Sequence, residues 1–396
     1  MRQAAPRFSI VMPTRNRAHL LREALQSALE QRYDDFEVVV SDNASDDDTP
    51  RIVRELANDR VRAVRTDRVL PMPDSWEFAL GHARGEYATV LCDDDALVPQ
   101  FLSEVERALA AQPSFLVSWT HATYFSRSHP VARWRNQLAI PSHGGSIVMM
   151  DSRASLRALF GLRGDPGKLP RMLNSCCHRD VVAGIRARLG RFFLAPNPDT
   201  AACAVSLTAV DQYLYLDKPL LIGGAGGESI GASTTHSRSA ATLNFLAEFG
   251  LERVFAHVPL GVVTVTNSIV ETLLRTRRAM PERFEGLEID WLRYFEDCYV
   301  ELAALAAAVD VAAERRELRR VLGERPVGFR ARVYWRAVRR AAARVALRAS
   351  GAAIRSVAGL DRALGAAARR RGGARLIRGD EAGFWSILEC RKLLEP

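Results

Sequence analysis

Three adjacent aspartates, Asp93, Asp94 and Asp95, follow the apolar run from Tyr87 to Leu91. Carboxylates this close repel one another and stay ionised together only beside a cation. A hard divalent ion such as Mg2+ or Mn2+ neutralises them and keeps coordination positions open for phosphate oxygens. The alternative is a solvated acidic turn capping a helix that starts near Val98. A second acidic stretch runs from Ser41 to Thr49. Asp42 there suits hydrogen bonds from a nucleobase or ribose. Asp46, Asp47 and Asp48 suit the start of a helix electrostatically. A third stretch, Pro13-Thr14-Arg15-Asn16-Arg17, places polar groups and free N–H groups at a helix start, which favours an anionic ligand.

These groups need elements to position them. Phe8 to Met12 is a short apolar run ended by Pro13, which predicts a buried strand. Leu20, Leu21, Ala24, Leu25, Ala28 and Leu29 share one helical face. Phe36 to Val40 predicts a second strand, Val61 to Val64 a third and Tyr87 to Leu91 a fourth. Ile52, Val53 and Leu56 predict a helix between the second and third strands. Trp76, Ala79, Leu80 and Ala83 predict another before the fourth. A helix over Val98 to Ala111 and a strand over Phe115 to Trp119 follow. Alternating strands and helices imply an α/β fold with a mostly parallel sheet flanked by helices. Ligands of such sheets bind beyond the carboxyl ends of the strands, so Asp42 and Asp93 to Asp95 should meet on one edge. Arg127 to Gly145 reads as a loop over the sheet. Ser155 to Leu162, Val181 to Leu189 and Asp199 to Ala209 read as helices. Tyr213 to Leu216 and Leu220 to Ile222 read as strands. Gly223 to Gly227 reads as a flexible loop, and Leu243 to Leu322 as mostly helical.

The 396 residues suit one large domain with an appendage, or two domains. At 48% hydrophobic, the chain has enough apolar residues for a sizeable core and too many for disorder. The net charge of +9 is uneven. Fifteen arginines against Asp361 put about +14 between Arg325 and Arg378, and leave the rest of the chain about −5. Six scattered cysteines have neither zinc spacing nor the density of a disulfide framework, and fit a reducing cytoplasm. The apolar stretch Leu260 to Val270 is too short to span a bilayer, and no signal peptide is visible.

The segments Ser9 to Arg17, Phe36 to Thr49 and Gly85 to Leu97 occur in an order and spacing that resembles the inverting glycosyltransferases of family 2. The sequences Ile-Val-Met-Pro-Thr-Arg-Asn-Arg, Glu-Val-Val-Val-Ser-Asp-Asn-Ala-Ser-Asp-Asp and Gly-Glu-Tyr-Ala-Thr-Val-Leu-Cys-Asp-Asp-Asp carry it. The resemblance is strong over about residues 7–120 and looser to about 235. It implies a GT-A type domain over 1–235, with a nucleotide half at about 7–120 and an acceptor half at about 121–235. A helical extension over 236–325 and a basic helical tail over 326–396 would follow. It places Pro13, Thr14 and Arg15 around the nucleotide, with Arg68 reaching it. Asp42 would hold the base, and Asp93 the ribose or diphosphate. Asp94 would be the main ligand of Mg2+ or Mn2+, and Asp95 a second one. Cys92 stands where many members carry the first aspartate of the metal motif, so the pair that holds the ion stays open among the three.

The same resemblance calls for a general base well after the metal motif. Asp199, in Asn197-Pro198-Asp199, stands at that distance, with Pro198 in place of the usual Glu; a plain helix cap is the other reading. Asp211 and Glu228 are weaker candidates. His236 or Arg238 would close over the diphosphate. The Gln-x-x-Arg-Trp motif of processive synthases is absent, since Pro130 stands where the Gln would precede Arg133-Trp134. Transfer of a single sugar to a glycan or lipid-linked acceptor is therefore expected. Trp76, Trp119 and the Arg127 to Gly145 loop would shape the pocket. A sugar-phosphate nucleotidyltransferase would carry a Gly-rich basic loop where Pro-Thr-Arg-Asn-Arg stands. A non-catalytic binding protein would not need intact acidic motifs.

Arg332, Arg336, Arg340, Arg344 and Arg348 recur every four residues, and Arg355, Arg362 and Arg369 every seven. Both spacings line one side of a helix, with Val338, Val345, Val357, Leu360 and Leu364 broadly opposite. An amphipathic tail that binds anionic lipid is expected, in a cytoplasmic protein attached at the inner face of the membrane. The alternative is a helix packed on the body with a solvated arginine face. Nucleic acid is not the expected partner, because aromatics beyond Tyr334 and Trp335 are missing from the basic stretch.

Overall fold

The computed structural model describes residues 5–165, 167–237, 242–243, 247, 254–340 and 374–395. It has a central sheet flanked by helices, an α/β architecture as the alternation implied. The first half follows the expected order closely. Strand β1 (Phe8–Thr14) leads to α1 (Ala18–Leu29), β2 (Phe36–Asp42), α2 (Thr49–Leu56), β3 (Val61–Arg65), α3 (Met72–Gly81) and β4 (Tyr87–Val90). β3, β2, β1 and β4 lie side by side and parallel.

Every residue of β1 and β2 is buried, as parallel strands covered on both faces require. The period-2 alternation sorts their side chains between two cores. Ile10 and Met12 face α1 and α4 (Phe101–Ala111), packing with Leu21, Leu25 and Trp119. Val11 faces the other way, toward Trp76, Leu80 and Phe193.

The second half is built differently. After the two-residue strand β5 (Ala96–Leu97), the long β6 (Leu116–Phe125) pairs parallel with β10 (Gln212–Ala225). It pairs antiparallel with β9 (Ser175–His178) and then with β7 (Gln137–Ile140). β8 (Ile147–Asp151) and β5 lie antiparallel to β10. β9 joins the halves by pairing antiparallel with β4.

Several expectations change here. The stretch 127–145 is not simply a loop, because β7 lies within it. The two predicted strands near 213–222 are one strand, kinked by register shifts at Pro219. Gly223 to Ala225 extend that strand rather than forming a loop.

Helices α5 (Ser152–Phe160), α6 (Arg179–Leu189) and α7 (Pro198–Ala209) cover the second core. A short helix, α8 (Ile230–His236), follows β10, and α9 (Val265–Ala279) and α10 (Trp291–Leu305) add Leu273, Tyr294 and Phe295 to the same core. The helical region therefore shares its apolar interior with the sheet domain.

A further helix over residues 327–340 buries Val333 and Ala337. Arg336 Nε lies 3.0 Å from Glu296 Oε2, and Arg340 Nη1 pairs with Glu296 at 3.2 Å and with Asp297. Two arginines of the expected lipid face thus turn inward onto α10, while Arg332 is exposed. Arg344, Arg348, Arg355, Arg362 and Arg369 lie outside the described residues. The end of the tail is not helical throughout: β11 (Arg375–Arg378) adds to β7 at the sheet edge. Beyond it, Arg391 pairs with Glu30 at the end of α1, and Arg32 with Glu395 at 2.9 Å.

Candidate active site

The parallel strands bring their carboxyl ends to one rim. Thr14 stands opposite Asp42 in the β1–β2 register, and Val11 opposite Val90 in the β1–β4 register. Continuing that register places Asp93 beside Thr14, and Thr14 Oγ1 donates to Asp93 Oδ2 at 2.8 Å. Asp42 and Asp93, 51 positions apart in the chain, therefore flank one threonine.

Asp93 is buried and also accepts from Arg17 Nη1 at 2.9 Å. Burial alone would lower the pKa of Arg17, but the carboxylates of Asp93 and Asp94 outweigh it and raise the pKa. The other arm of Arg17 donates to the carbonyl oxygen of Glu228, in the segment after β10. Glu228 Oε1 also lies 3.5 Å from His19 Nε2. Arg17 is thus the cation that neutralises Asp93. The Pro-Thr-Arg-Asn-Arg turn signalled such a group, but family position pointed to Arg15, which is exposed.

Asp94 and Asp95 face a different partner set. Their carboxylate oxygens and Cys92 Sγ can all lie within 4.8 Å of one another, a spacing that suits a metal ion. Burial pushes Asp94 up to about 6, with Asp93 adding to the shift and Arg17 opposing it. Burial, then Asp94, raises Asp95 well above the usual carboxylate range, against a hydrogen bond from Gly224 N at 2.8 Å. Burial also raises the Cys92 thiol, followed by the three aspartates. Two desolvated carboxylates that resist ionisation are the donor set a divalent cation would stabilise. Oxygen donors suit Mg2+ or Mn2+, whereas a protonated thiol is a poor ligand for either. Asp93 lies outside this group because Arg17 and Thr14 hold it.

Gly224 explains how β10 closes on this turn. A Cβ there would sit 1.9 Å from the Asp94 carbonyl oxygen, so only glycine lets the two backbones meet.

At Asp42, one oxygen accepts from Ser45 N at 2.9 Å, and the other pairs with Arg65. Arg65 is the guanidinium beside Asp42, whereas Arg68 is exposed in the loop after β3. That loop is held by Asn43, which bonds both the N–H and the carbonyl of Leu70 at 2.8 Å. Asp47 takes the helix-start role expected of it, accepting from Ala18 N and Thr49 N at 2.9 Å at two helix starts.

Asp199 sits in the first turn of α7, but Asn197 is the cap residue. Asp199 accepts from Thr200 N at 2.7 Å and from Arg171 Nη1 at 3.4 Å. Arg171 also acts electrostatically on Asp95 and His121, so it links Asp199 to the metal-suited group. Burial, then Arg171, pushes His121 down to about 4. Neither Arg171 nor His121 carries a local sequence signal. Asp211 lies before β10, roughly 40 Å along the strand from Gly224 at ~3.3 Å per residue, which removes it from this rim. His236 packs on Trp134 and His129, at 5.3 and 5.7 Å between ring centres. It therefore belongs to an aromatic cluster, and Arg238 lies outside the described residues. Trp76 and Trp119 are core residues packed on Phe193 and Phe101, not pocket walls.

Carboxylates, guanidinium groups and a helix start gathered at the ends of parallel strands suit an anionic ligand and a divalent ion. Residues 9–148 match the model of Glycosyl transferase family 2. It is 37% identical over 101 residues to the GalNAc(5)-diNAcBac-PP-undecaprenol beta-1,3-glucosyltransferase of Campylobacter jejuni, covering 25% of this chain and 33% of that one. It is 36% identical over 107 residues to the succinoglycan biosynthesis protein ExoO of Rhizobium meliloti, covering 27% and 31%. The chain thus spans about a third of the length of these relatives. Among solved structures, S. aureus TarS 1-349 in complex with UDP-GlcNAc superposes with a TM-score of 0.48 at 16% identity, covering 80% of this chain and 90% of that one.

Proposed function

We propose that the protein is a metal-dependent, inverting glycosyltransferase. It moves one sugar from a nucleotide-diphosphate donor to a hydroxyl of a glycan or lipid-linked acceptor. The observation that carries this reading is the shared rim: Thr14 and Asp42 end β1 and β2, Asp93 follows the neighbouring β4, and the Asp94–Asp95 carboxylates stand next to them. Asp42 takes the base or ribose, exchanging part of its contact with Arg65. Pro13, Thr14 and Arg15 line the nucleotide, and Arg17 turns from Asp93 and Glu228 toward the diphosphate. Asp94 and Asp95 would hold Mg2+ or Mn2+, whose charge offsets that of a departing diphosphate. Asp199, oriented by Arg171 and Thr200 N, accepts the proton of the attacking hydroxyl in one in-line displacement. The Campylobacter jejuni relative, named for transfer to an undecaprenol-linked glycan, supports an acceptor of that kind.

A lipid-linked acceptor places the enzyme at the inner face of the membrane. Since Arg336 and Arg340 are engaged by α10, the surface offered to anionic lipid is the opposite side of the 327–340 helix. Val327, Trp335 and Val338 are 71%, 61% and 62% exposed there, beside Arg332 and Arg339, and Arg339 lies 4.9 Å over the Trp335 ring. Among the described residues no helix is long and apolar enough to cross a bilayer.

The decisive experiment incubates the full chain with UDP-, GDP- and dTDP-sugars in Mn2+. Slow metal-dependent release of nucleoside diphosphate, abolished in Asp94→Ala, is expected. Nucleotide binding without turnover of any donor would instead assign a non-catalytic binding role.

A further inference from the structure

Next to the acidic rim, β6, β7, β8, β10 and the segment 165–168 line an open cavity of about 650 Å3. That volume lies within the range of ~300–1,000 Å3 usual for small-molecule sites. Its lining mixes hydrogen-bonding groups, among them Thr120, His121, Thr123 and Asp217, with the apolar side chains of Val148 and Met150. A pyranose presents the same mixture, a ring of hydroxyls around patches of C–H.

Part of the polar wall is already ordered. Tyr215 OH donates to Asp217 Oδ1 at 3.1 Å and lies 2.5 Å from Thr120 Oγ1, and Gly144 N donates to Asp217 Oδ2 at 2.6 Å. The lining carries Asp165 and Asp217 against Lys168, a negative balance that suits a neutral sugar rather than a pyrophosphate.

The cavity also touches the reaction centre. A Cβ on Gly223 would lie 3.8 Å from Asp95 Oδ1 and 3.8 Å from His121 Cδ2. His121 in the cavity wall and the Asp95 carboxylate thus flank a single glycine. His121 Nδ1 is buried with no hydrogen-bond partner. An orphan N–H there costs more than an unfilled lone pair, which favours the tautomer carrying its proton on Nε2. That tautomer gives the ring a donor for a sugar oxygen.

We propose that this cavity holds the terminal sugar of the acceptor and that His121 fixes the orientation of its reactive hydroxyl. The assignment rests on the transferase reading above and adds to it which cavity takes the acceptor and which residue orients it. The donor nucleotide occupies the ends of β1, β2 and β4, and the acceptor enters from the other side of Asp95. Any charged lipid carrier of that sugar stays outside the cavity.

The test uses the full chain in Mg2+ with two kinds of probe. Thermal stabilisation by UDP, GDP and dTDP reports the donor side. Saturation-transfer NMR with free glucose, galactose, mannose and N-acetylglucosamine reports the cavity. At least one sugar is expected to bind. Its signal should vanish in Thr123→Trp, which fills the space, and its affinity should fall about tenfold in His121→Ala, the loss of one buried hydrogen bond. His121→Gln, which keeps a donor, should recover part of that loss. Nucleotide stabilisation should persist in Thr123→Trp. Absence of sugar binding in a chain that binds nucleotide would overturn the cavity assignment and leave the transferase reading intact. So would a sugar signal unchanged in Thr123→Trp, or a loss of nucleotide and sugar binding together. Failure to bind any nucleotide would instead overturn the transferase reading itself.

Discussion

The two halves of the sheet solve the same problem by different means. In the half made of β1 to β4, parallel strands point their carboxyl ends at one rim, so Thr14, Asp42 and Asp93 meet because each ends or closely follows its own strand. In the half made of β6 to β10, strand pairings are mostly antiparallel. There the groups near the site come from a strand interior (His121), from a segment before β9 (Arg171) and from a helix start (Asp199). The first arrangement ties chemistry to local sequence. The second ties it to long-range pairing, most visibly where β10 returns to place Gly224 against Asp94.

The comparison is broken most directly by removing a charge from each half. Asp94→Ala should lower metal-dependent donor turnover by about 10^3-fold or more, since the charge that offsets the leaving group goes with the ion. A comparable loss from Cys92→Ala, measured by metal titration of the same reaction, would show that the thiol and not the carboxylate pair dominates. Asp199→Asn should lower transfer by about 10^2–10^4-fold while donor affinity stays within about twofold, as removal of a general base does. A loss in donor affinity alone would instead make Asp199 part of the nucleotide half.

Gly224→Ala tests the seam between the halves. Its Cβ meets backbone rather than a movable side chain, so a stability loss of about 1–3 kcal/mol is expected in urea denaturation. A neutral result would mean that β10 adjusts without cost.

The pH dependence of stability sharpens the same contrast. Asp94 has its pKa raised by burial to about 6 in the folded protein, above its ordinary value of 3.8. The folded state then holds the proton that the unfolded state has lost. Stability should therefore fall as pH rises from about 4 to about 6 in chelator. Mn2+ should restore it at pH 7, and Asp94→Asn should flatten the slope; melting temperatures across that range check both. The smallest effect belongs to the surface. Trp335→Ala should weaken co-sedimentation with phosphatidylglycerol vesicles and change stability by less than about 0.5 kcal/mol. Arg340→Ala, which breaks a pair with α10, should do the reverse.

What could be read in advance followed this division. The alternation of β1 to β4 with α1 to α3 was legible because each element repeats its apolar residues at its own period. Strand β8 was missed because Ile147 to Asp151 is half exposed, and β9 because Ser-Cys-Cys-His has no strand-like alternation. The two strands read near 213–222 proved to be one, since Lys218-Pro219 looked like a break and is a bulge. No local signal separates Arg17 from its neighbour Arg15, which carries the same charge; the contact of Arg17 with Asp93 is a tertiary one.

The sequence by itself determined that carboxylates would stand at the ends of parallel strands, because local periodicity fixes each strand and its end. It also determined that the arginines would cluster near the C-terminus. Only the tertiary structure decided which carboxylate each cation would hold, because Arg17, Arg65 and Arg171 choose partners by distance in space. It also turned Arg336 and Arg340 inward, since Glu296 and Asp297 of α10 lie beneath them and the spacing of the arginines carries no information about what they face.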